Sequence, residues 1–232
     1  MYSRKDKEIQ LKEYMNQAFP GVRLGPYLLS QWENHLHFDF GKDKYQIVEG
    51  TDDLNMEYFS QLYTYNKFLF EDIFSKEDVV FVVTNVYRFK KENIKTPQKI
   101  NVYNKYIKKR DLRFHIRQET LPFLFEDEEA DLYCTYQFSL KCLVEDIKYE
   151  SLIQAANHED FSALYPRFGR KKEISYPDVF LINETKDIVM FMYDDRGCEV
   201  IAKNKEIIRD LYKKYKEWIP DYERESIDNL FK

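Results

Sequence analysis

Two adjacent carboxylates, Asp194 and Asp195, follow an apolar run and precede Arg196 and Gly197. Together with Glu199 they could hold Mg²⁺ for phosphoryl transfer, because Mg²⁺ prefers carboxylate oxygens. The same residues suit a structural β-turn, in which an Asp accepts backbone amides, Arg196 pairs with a carboxylate and Gly197 adopts a positive φ. The turn is favoured, since a metal site also needs a carboxylate on a neighbouring strand, which the pattern does not supply.

A second candidate set lies on one face of a strand, where His35, His37 and Asp39 alternate with apolar residues. Two imidazoles and a carboxylate at this spacing could present three ligands to a transition metal. The pattern is also typical of the solvated face of a half-buried strand, and the other histidines, His115 and His158, are distant in sequence. We interpret the three residues as a solvated face and predict no metal and no cofactor.

Two further groups of residues carry weaker signals. The segment 157–160, Asn-His-Glu-Asp, could position a general base, but no nucleophile in a recognisable context accompanies it. The cationic run from Lys105 to Arg110 lies beside Tyr103 and Tyr106, a combination that can bind single-stranded nucleic acid. A helix-end loop and a solvated helix face are the favoured interpretations. The six glycines are scattered singly, which argues against a known type of phosphate-binding loop.

Charge and cysteine content limit the classes of partner and compartment. The chain has 232 residues, a net charge of −5 and a pI near 5.6. This charge argues against nucleic-acid binding, which depends on clustered Lys and Arg. No apolar run is long enough to span a membrane, and the first residues predict a charged helix rather than a signal peptide. Cys134, Cys142 and Cys198 lack paired close spacing, which indicates reduced thiols and a cytoplasmic protein.

The hydrophobic pattern predicts an α+β fold, with mainly antiparallel sheet packed against long amphipathic helices at both ends of the chain. The predicted helices span residues 3–19, about 52 to 74, 151–156 and 204–219, and a short tail helix docks through Ile227, Leu230 and Phe231. The predicted strands span residues 35–40, 45–48, 79–83, 132–143, 177–182, 187–193 and 199–201. The first two form a hairpin, the third is a central strand covered on both faces, and the last three form a meander.

The domain organisation is less well defined by the sequence. Residues 88–129 follow neither a clear helical nor a clear strand pattern and include a lysine-rich part and an acidic part. We predict a single α+β domain over residues 1–232, with a division into two lobes, 1–125 and 126–232, as the alternative.

Several segments resemble a known bacterial family. Residues 187–202, from Asp-Ile-Val-Met-Phe-Met-Tyr to Val-Ile-Ala, together with 208–219 and Asp221-Tyr222, resemble the C-terminal signature of the domain-of-unknown-function family numbered 3885. His37-Phe-Asp-Phe-Gly41 and Leu69-Phe-Glu-Asp-Ile-Phe74 resemble earlier elements of that family, which more often has Arg at the position of His37. The resemblance implies a Bacillus-like bacterial source and a cytoplasmic protein, and it supplies no reaction and no catalytic residues.

We interpret the chain as a protein-binding module of the immunity or antitoxin type that inhibits a bacterial toxin or effector. Aromatic residues make up 17% of the sequence, the charge is acidic, and a basic toxin domain is the expected partner. The expected contact residues are Tyr193, Asp194, Asp195, Arg196, Tyr58, Tyr63 and Tyr65. The alternatives are a metal-dependent enzyme that uses Asp194 and Asp195, and a phage-related accessory or structural protein.

Overall fold

The computed structural model of the chain describes residues 9–41, 44–90, 101–125, 128, 130–168 and 176–232. The strands in these ranges are β1 (His35–Asp39), β2 (Val79–Phe89), β3 (Arg117–Pro122), β4 (Tyr133–Leu143), β5 (Asp178–Asn183), β6 (Ile188–Met192) and β7 (Gly197–Ala202). The α-helices are α1 (Leu11–Ala18), α2 (Met56–Ile73), α3 (Asn101–Tyr106), α4 (Tyr149–Asn157), α5 (Lys205–Tyr215) and α6 (Asp221–Phe231). The start predicted for the first helix, at Ser3, lies outside the described residues.

The strands form one antiparallel sheet in the order β1-β7-β6-β5-β2-β4-β3. β2 lies in the interior of the sheet, between β5 and β4, and its residues from Val80 to Arg88 are buried. Apolar side chains at both odd and even positions allow a strand to be covered on both faces. The predicted central strand, the meander of β5, β6 and β7, and the α+β class are therefore confirmed.

Helices cover both faces of the sheet. The larger core joins α2, α4, α5 and α6 to one face, where Leu36 and Phe38 of β1 are completely buried. On the other face, α1 and the 3-10 turn Leu29–Gln31 pack against Phe180 and Phe191. Alternate residues of β1 and β7 therefore point towards different cores, and the polar residues of these strands share the face of the smaller core.

The predicted hairpin between residues 35–40 and 45–48 is wrong. β1 pairs with β7, and in the segment 45–48 only Ile47 makes a single bridge, to Leu54. Tyr45, Ile47 and Val48 are exposed. A two-stranded hairpin with such a partner could not cover the apolar side chains of β1, whereas β7 adds β1 to a sheet whose face is already packed against helices.

The helix α2 begins later than the sequence predicts. Asn55, rather than Asp52 or Asp53, caps the helix, because its Oδ1 accepts the backbone amides of Glu57 and Tyr58. The two acidic residues precede this cap in the exposed segment that leads into the helix. The cap fixes the first turn of α2 beside the end of β1, where Tyr58 enters the core.

The C-terminal helices follow the prediction closely. α5 continues into a 3-10 turn over Lys216–Trp218, and α6 begins after Pro220. Ile227 and Phe231 are buried, so α6 docks back as predicted. The single sheet contains strands from both 1–125 and 126–232, and the division into lobes stays a prediction. Within the described ranges, none of the helices has the length and hydropathy needed to cross a membrane.

Candidate functional site

A cleft of about 560 Å³ opens beside the end of β1 and the turn between β6 and β7. Its walls also include the segment after β1, the first turns of α2 and α6, and one residue inside β7. The lining residues are His37, Asp39, Gly41, Lys44, Tyr45, Gln46, Tyr58, Tyr193, Arg196, Glu199 and Tyr222. The cleft therefore combines residues from the carboxylate turn, the histidine strand and the tyrosines of α2, which the sequence presents as three separate groups.

His37 connects a tyrosine to a glutamate. Its Nε2 lies 2.9 Å from the hydroxyl of Tyr193, and its Nδ1 lies 2.9 Å from Oε1 of Glu223. Burial and the nearby Asp194 raise the pKa of Tyr193 far above its usual value, so this hydroxyl keeps its proton. Burial also acts to raise the pKa of Glu223, but the hydrogen bond with His37 brings it below its usual value. Tyr193, His37 and Glu223 thus form a linear hydrogen-bonded chain, in which each ring nitrogen of His37 takes part in one hydrogen bond.

Glu199 is a half-buried carboxyl inside β7, on the same face of the sheet as the polar residues of β1. It lies opposite His37 on one side and Phe191 on the other. Burial raises the pKa of Glu199 to about 7, although His37 and the backbone amides of Leu29 and Leu28 act to lower it. Among the described residues, its buried Oε2 has no hydrogen-bond partner. Leaving a buried acceptor unpaired costs about 1–3 kcal/mol.

Asp194 closes the turn between β6 and β7. Its Oδ1 accepts the backbone amide of Arg196 at 2.7 Å, and its Oδ2 accepts Nε of the same residue at 2.8 Å. These contacts agree with the turn that the sequence favours. Gly197, however, does not have the positive φ that we predicted. A Cβ at Gly197 would lie 2.0 Å from the carbonyl oxygen of Phe38, so the close approach of β1 is what requires glycine.

Asp195 has a structural role beneath the cleft. It is 4% exposed, and its Oδ2 accepts hydrogen bonds from Nε2 of Gln46 at 2.8 Å and from the hydroxyl of Tyr58 at 3.0 Å. Burial raises the pKa of Asp195, against the lowering effect of these two hydrogen bonds. Asp195 thereby fastens the segment after β1 and the first turn of α2 to the turn between β6 and β7.

The residues considered as metal ligands are directed towards separate partners. Nδ1 of His35 lies 2.7 Å from the carbonyl oxygen of Trp32, and Oδ1 of Asp39 accepts the amide of Gly41 at 2.9 Å. His37 is held as described above. In the part of the chain that the structure describes, no group of three or more His, Cys, Asp or Glu side chains is placed to hold a metal ion.

Tyr63 and Tyr65 lie outside the cleft and pack against the larger core. The hydroxyl of Tyr63 lies 2.5 Å from Nε2 of His158, which is 1% exposed at the end of α4. Tyr65 stacks on Trp218 with ring centroids 4.3 Å apart. Of the three tyrosines of α2 named from the sequence, Tyr58 is therefore the one that reaches the cleft.

The cationic segment beside α3 does not present its tyrosines to solvent. Tyr103 and Tyr106 are both buried in the larger core, and the hydroxyl of Tyr103 donates to the carbonyl oxygen of Phe138 at 2.9 Å. Their rings cannot stack on bases without leaving the core. Lys105 and its cationic neighbours therefore occupy the outer side of this segment, as the favoured interpretation predicts.

Several residues of the cleft were missed from the sequence. Tyr45 and Tyr222 form its rim and are 81% and 79% exposed. Glu223 holds His37, and Gln46 holds Asp195. Tyr222 lies in the Asp221-Tyr222 part of the segment that resembles the family, whereas the other three residues lie in no motif with a chemical role. The docking of the tail helix is a further signal, since it returns the start of α6 to the edge of the sheet.

Comparisons with known proteins cover almost the whole chain. A family model described as a domain of unknown function, DUF3885, matches residues 11–223, a range that contains every residue of the cleft. A protein of Bacillus subtilis (strain 168), described as uncharacterized protein YnaE, is 39% identical over 209 residues, which are 90% of this chain and 96% of that protein. No solved structure matches. The resemblance seen in the sequence is thus confirmed, and the chain belongs to the DUF3885 family.

Proposed function

We propose that the protein is a cytoplasmic binding module of the immunity type, which inhibits a bacterial toxin or effector by docking the cleft onto a basic surface of that partner. The observation that carries this proposal is the rim of the cleft. Tyr45 and Tyr222 are almost fully exposed beside the carboxylates of Asp39 and Glu199. Interface centres are enriched in tyrosine, because it supplies a large contact area and a hydroxyl at low entropic cost.

The charge of the cleft supports a basic partner. Among the described residues, the Lys and Arg side chains on its wall are already neutralised, since Lys44 pairs with Glu57 and Arg196 pairs with Asp194. The chain as a whole carries a net charge of −5. A negative cleft on a negative protein accelerates the association of a positively charged partner and repels acidic competitors.

The polar groups of the cleft support binding rather than metal-assisted catalysis. Asp194 closes a turn, and Asp195 is held by Gln46 and Tyr58. The hydroxyl of Tyr193 is hydrogen-bonded to His37, and its raised pKa makes it a poor nucleophile. A wall that is already fixed by its own hydrogen bonds loses little entropy on binding, which favours recognition of a partner.

The test is affinity purification of the tagged protein from the bacterium that encodes it, followed by identification of stoichiometric partners. The double variant Tyr45→Ser/Tyr222→Ser removes the aromatic rim, and Phe114→Ser serves as control because Phe114 is 87% exposed and does not line the cleft. We expect a basic partner to bind the unmodified protein and the control, and to be lost from the double variant. The partner alone should inhibit growth, and co-expression of the unmodified protein should restore it.

Three outcomes contradict the proposal. These are the absence of a stoichiometric partner, a partner that the rim variant still binds with full affinity, and a partner whose expression has no effect on growth. Capture of phage structural proteins in place of a growth inhibitor favours the accessory role that the sequence leaves open.

A further inference from the structure

The interior of the cleft contains two carboxylates that lack an ion-pair partner among the described residues. Asp39 accepts one backbone amide through Oδ1, and Glu199 interacts with the backbone amides of Leu29 and Leu28 while its buried Oε2 accepts no hydrogen bond from the described residues. The described cations on the wall, Lys44 and Arg196, would have to leave Glu57 and Asp194 to pair with these two carboxylates. Carboxylates that are partly removed from water and unpaired create a strong preference for a positively charged ligand.

The register of the sheet places these two carboxylates close together. Asp39 lies opposite Gly197, and Glu199 is two residues further along the same strand, so both side chains are on one face as diagonal neighbours. The Cα atoms of such neighbours are about 7–8 Å apart, so that one ligand can contact both side chains. Gly197 contributes no side chain opposite Asp39, and the hydroxyl of Tyr193 lies at that point.

We propose that the cleft binds the guanidinium group of an arginine side chain of the protein partner, between Asp39 and Glu199 and beneath the rings of Tyr45 and Tyr222. This inference rests on the proposed function, since the arginine belongs to the partner that the module inhibits. A cleft of about 560 Å³ admits a complete arginine side chain.

Guanidinium fits the cleft better than ammonium does. Its planar fork forms paired hydrogen bonds with carboxylates, and its faces stack on aromatic rings. Four tyrosines line the cleft, namely Tyr45, Tyr58, Tyr193 and Tyr222. The exposed pair at the rim can close over a flat cation, and contacts of this kind are worth about 0.5–2 kcal/mol each.

The raised pKa of Glu199 is consistent with a positively charged ligand. Burial raises the pKa of its carboxyl to about 7, so ionisation of this group is costly. An incoming guanidinium stabilises the ionised form and offsets the penalty of burial. The hydrogen-bonded chain of Tyr193, His37 and Glu223 keeps the adjacent wall rigid, so that the ligand meets a preformed surface.

The experiment titrates N-acetyl-arginine amide into the isotopically labelled protein and follows the amide signals by NMR. N-acetyl-citrulline amide is the matched ligand control, because it has the same shape without the charge. Asp39→Asn and Glu199→Gln each remove one proposed counterion. Asp210→Asn is the matched protein control, since it removes the same charge from a side chain that is 96% exposed and does not line the cleft.

We expect arginine amide to shift the signals of the cleft residues and to bind at least tenfold more tightly than citrulline amide. Each cleft variant should weaken binding at least tenfold, and Asp210→Asn should leave it unchanged. Dispersed NMR spectra verify that each variant is folded, and two cleft variants keep the test valid if one of them is not. Equal binding of citrulline, no binding to the unmodified protein, or no effect of either folded cleft variant overturns the proposal.

A second arm identifies the source of the cation and separates the two proposals. An arginine-containing peptide from the captured partner should bind more tightly than free agmatine, and tighter binding of agmatine overturns the assignment to a protein side chain. Capture of an inhibited partner without arginine binding overturns this inference and leaves the proposed function standing. Arginine binding without any captured partner overturns the proposed function.

Discussion

Asp195 joins three parts of the chain through a single carboxylate oxygen. Gln46 from the segment after β1 and Tyr58 from α2 both donate to Oδ2, while Asp195 itself belongs to the turn between β6 and β7. The group is buried, so the acceptor matters more than its negative charge. This distinction separates a structural carboxylate from a metal ligand.

We expect Asp195→Asn to lower the free energy of unfolding by less than about 1 kcal/mol, since one amide oxygen can accept both hydrogen bonds. Asp195→Ala leaves the side-chain amide of Gln46 without its acceptor, while the hydroxyl of Tyr58 keeps the main-chain carbonyl oxygen of Asp195 at 2.9 Å, and the change should cost about 1–3 kcal/mol. Urea denaturation of both variants measures the difference. The combination of Asp195→Ala with Tyr58→Phe should cost less than the sum of the two single changes. Equal losses for Asn and Ala would show that the charge itself is needed.

The turn between β6 and β7 and the strand β1 are tied together at Gly197. Gly197→Ala brings a methyl group against the carbonyl oxygen of Phe38 and forces β1 away from β7. We expect a loss of about 2–3 kcal/mol in the free energy of unfolding, together with shifted NMR signals for His37 and Tyr193. Gly50→Ala is the control, because Gly50 has a φ of +76° with no atom within 4 Å and should cost about 1 kcal/mol without moving those signals. A loss at Gly197 no larger than at Gly50 contradicts the close approach.

Local patterns predict the elements better than their pairing. The apolar run from Val79 predicts a buried central strand, and polar links of a few residues predict the meander that ends in β7, because both depend on adjacent residues. The partner of β1 was predicted wrongly, since the nearest strand-like segment, 45–48, is close in sequence but too exposed to pair. The choice of β7 depends on which partner buries Leu36 and Phe38, and that is a property of the assembled sheet.

For the cleft as well, local patterns predict single residues but not how distant residues come together. His37, Asp39 and Tyr193 were recognised individually, because each lies in a short polar pattern beside an apolar strand. Their convergence was not predicted, since it requires the pairing of β1 with β7. Glu223 stands 186 residues from the ring that it contacts, and no local spacing reports such a contact.

At the scale of the whole molecule, buried carboxyls of the described residues contribute to how stability depends on pH. Burial raises the pKa of Glu199 and of Glu159 to about 7 and that of Asp178 to about 6. The folded state therefore binds more protons than the unfolded state between about pH 4 and pH 7, and stability falls as pH rises through this range. Burial lowers the pKa of His158, which acts in the opposite direction near pH 6, so one imidazole opposes three carboxyls in this range.

We expect the free energy of unfolding to be lower at pH 7.5 than at pH 5.5. Glu199→Gln should reduce this difference by on the order of 1 kcal/mol, because glutamine does not ionise and the side chain is mostly buried. Urea denaturation at the two pH values measures the effect, and Glu217→Gln, at an exposed position, is the control. A difference of the same size in the Glu199 variant would exclude this carboxyl as its source.

The pairing of β1 with β7 also affects the order in which the sheet forms and the ease with which β1 opens locally. It joins segments with the largest sequence separation of any strand pair in the described sheet, so it adds heavily to contact order and is expected to form late. β1 lies at an edge and is held by one strand neighbour, and such elements open locally at a lower free energy than interior strands. Opening of β1 would dismantle the cleft while β2, β4 and β5 remain paired. A ligand in the cleft would stabilise the pairing of β1 with β7. It would therefore slow amide hydrogen exchange in these two strands far more than in the centre of the sheet.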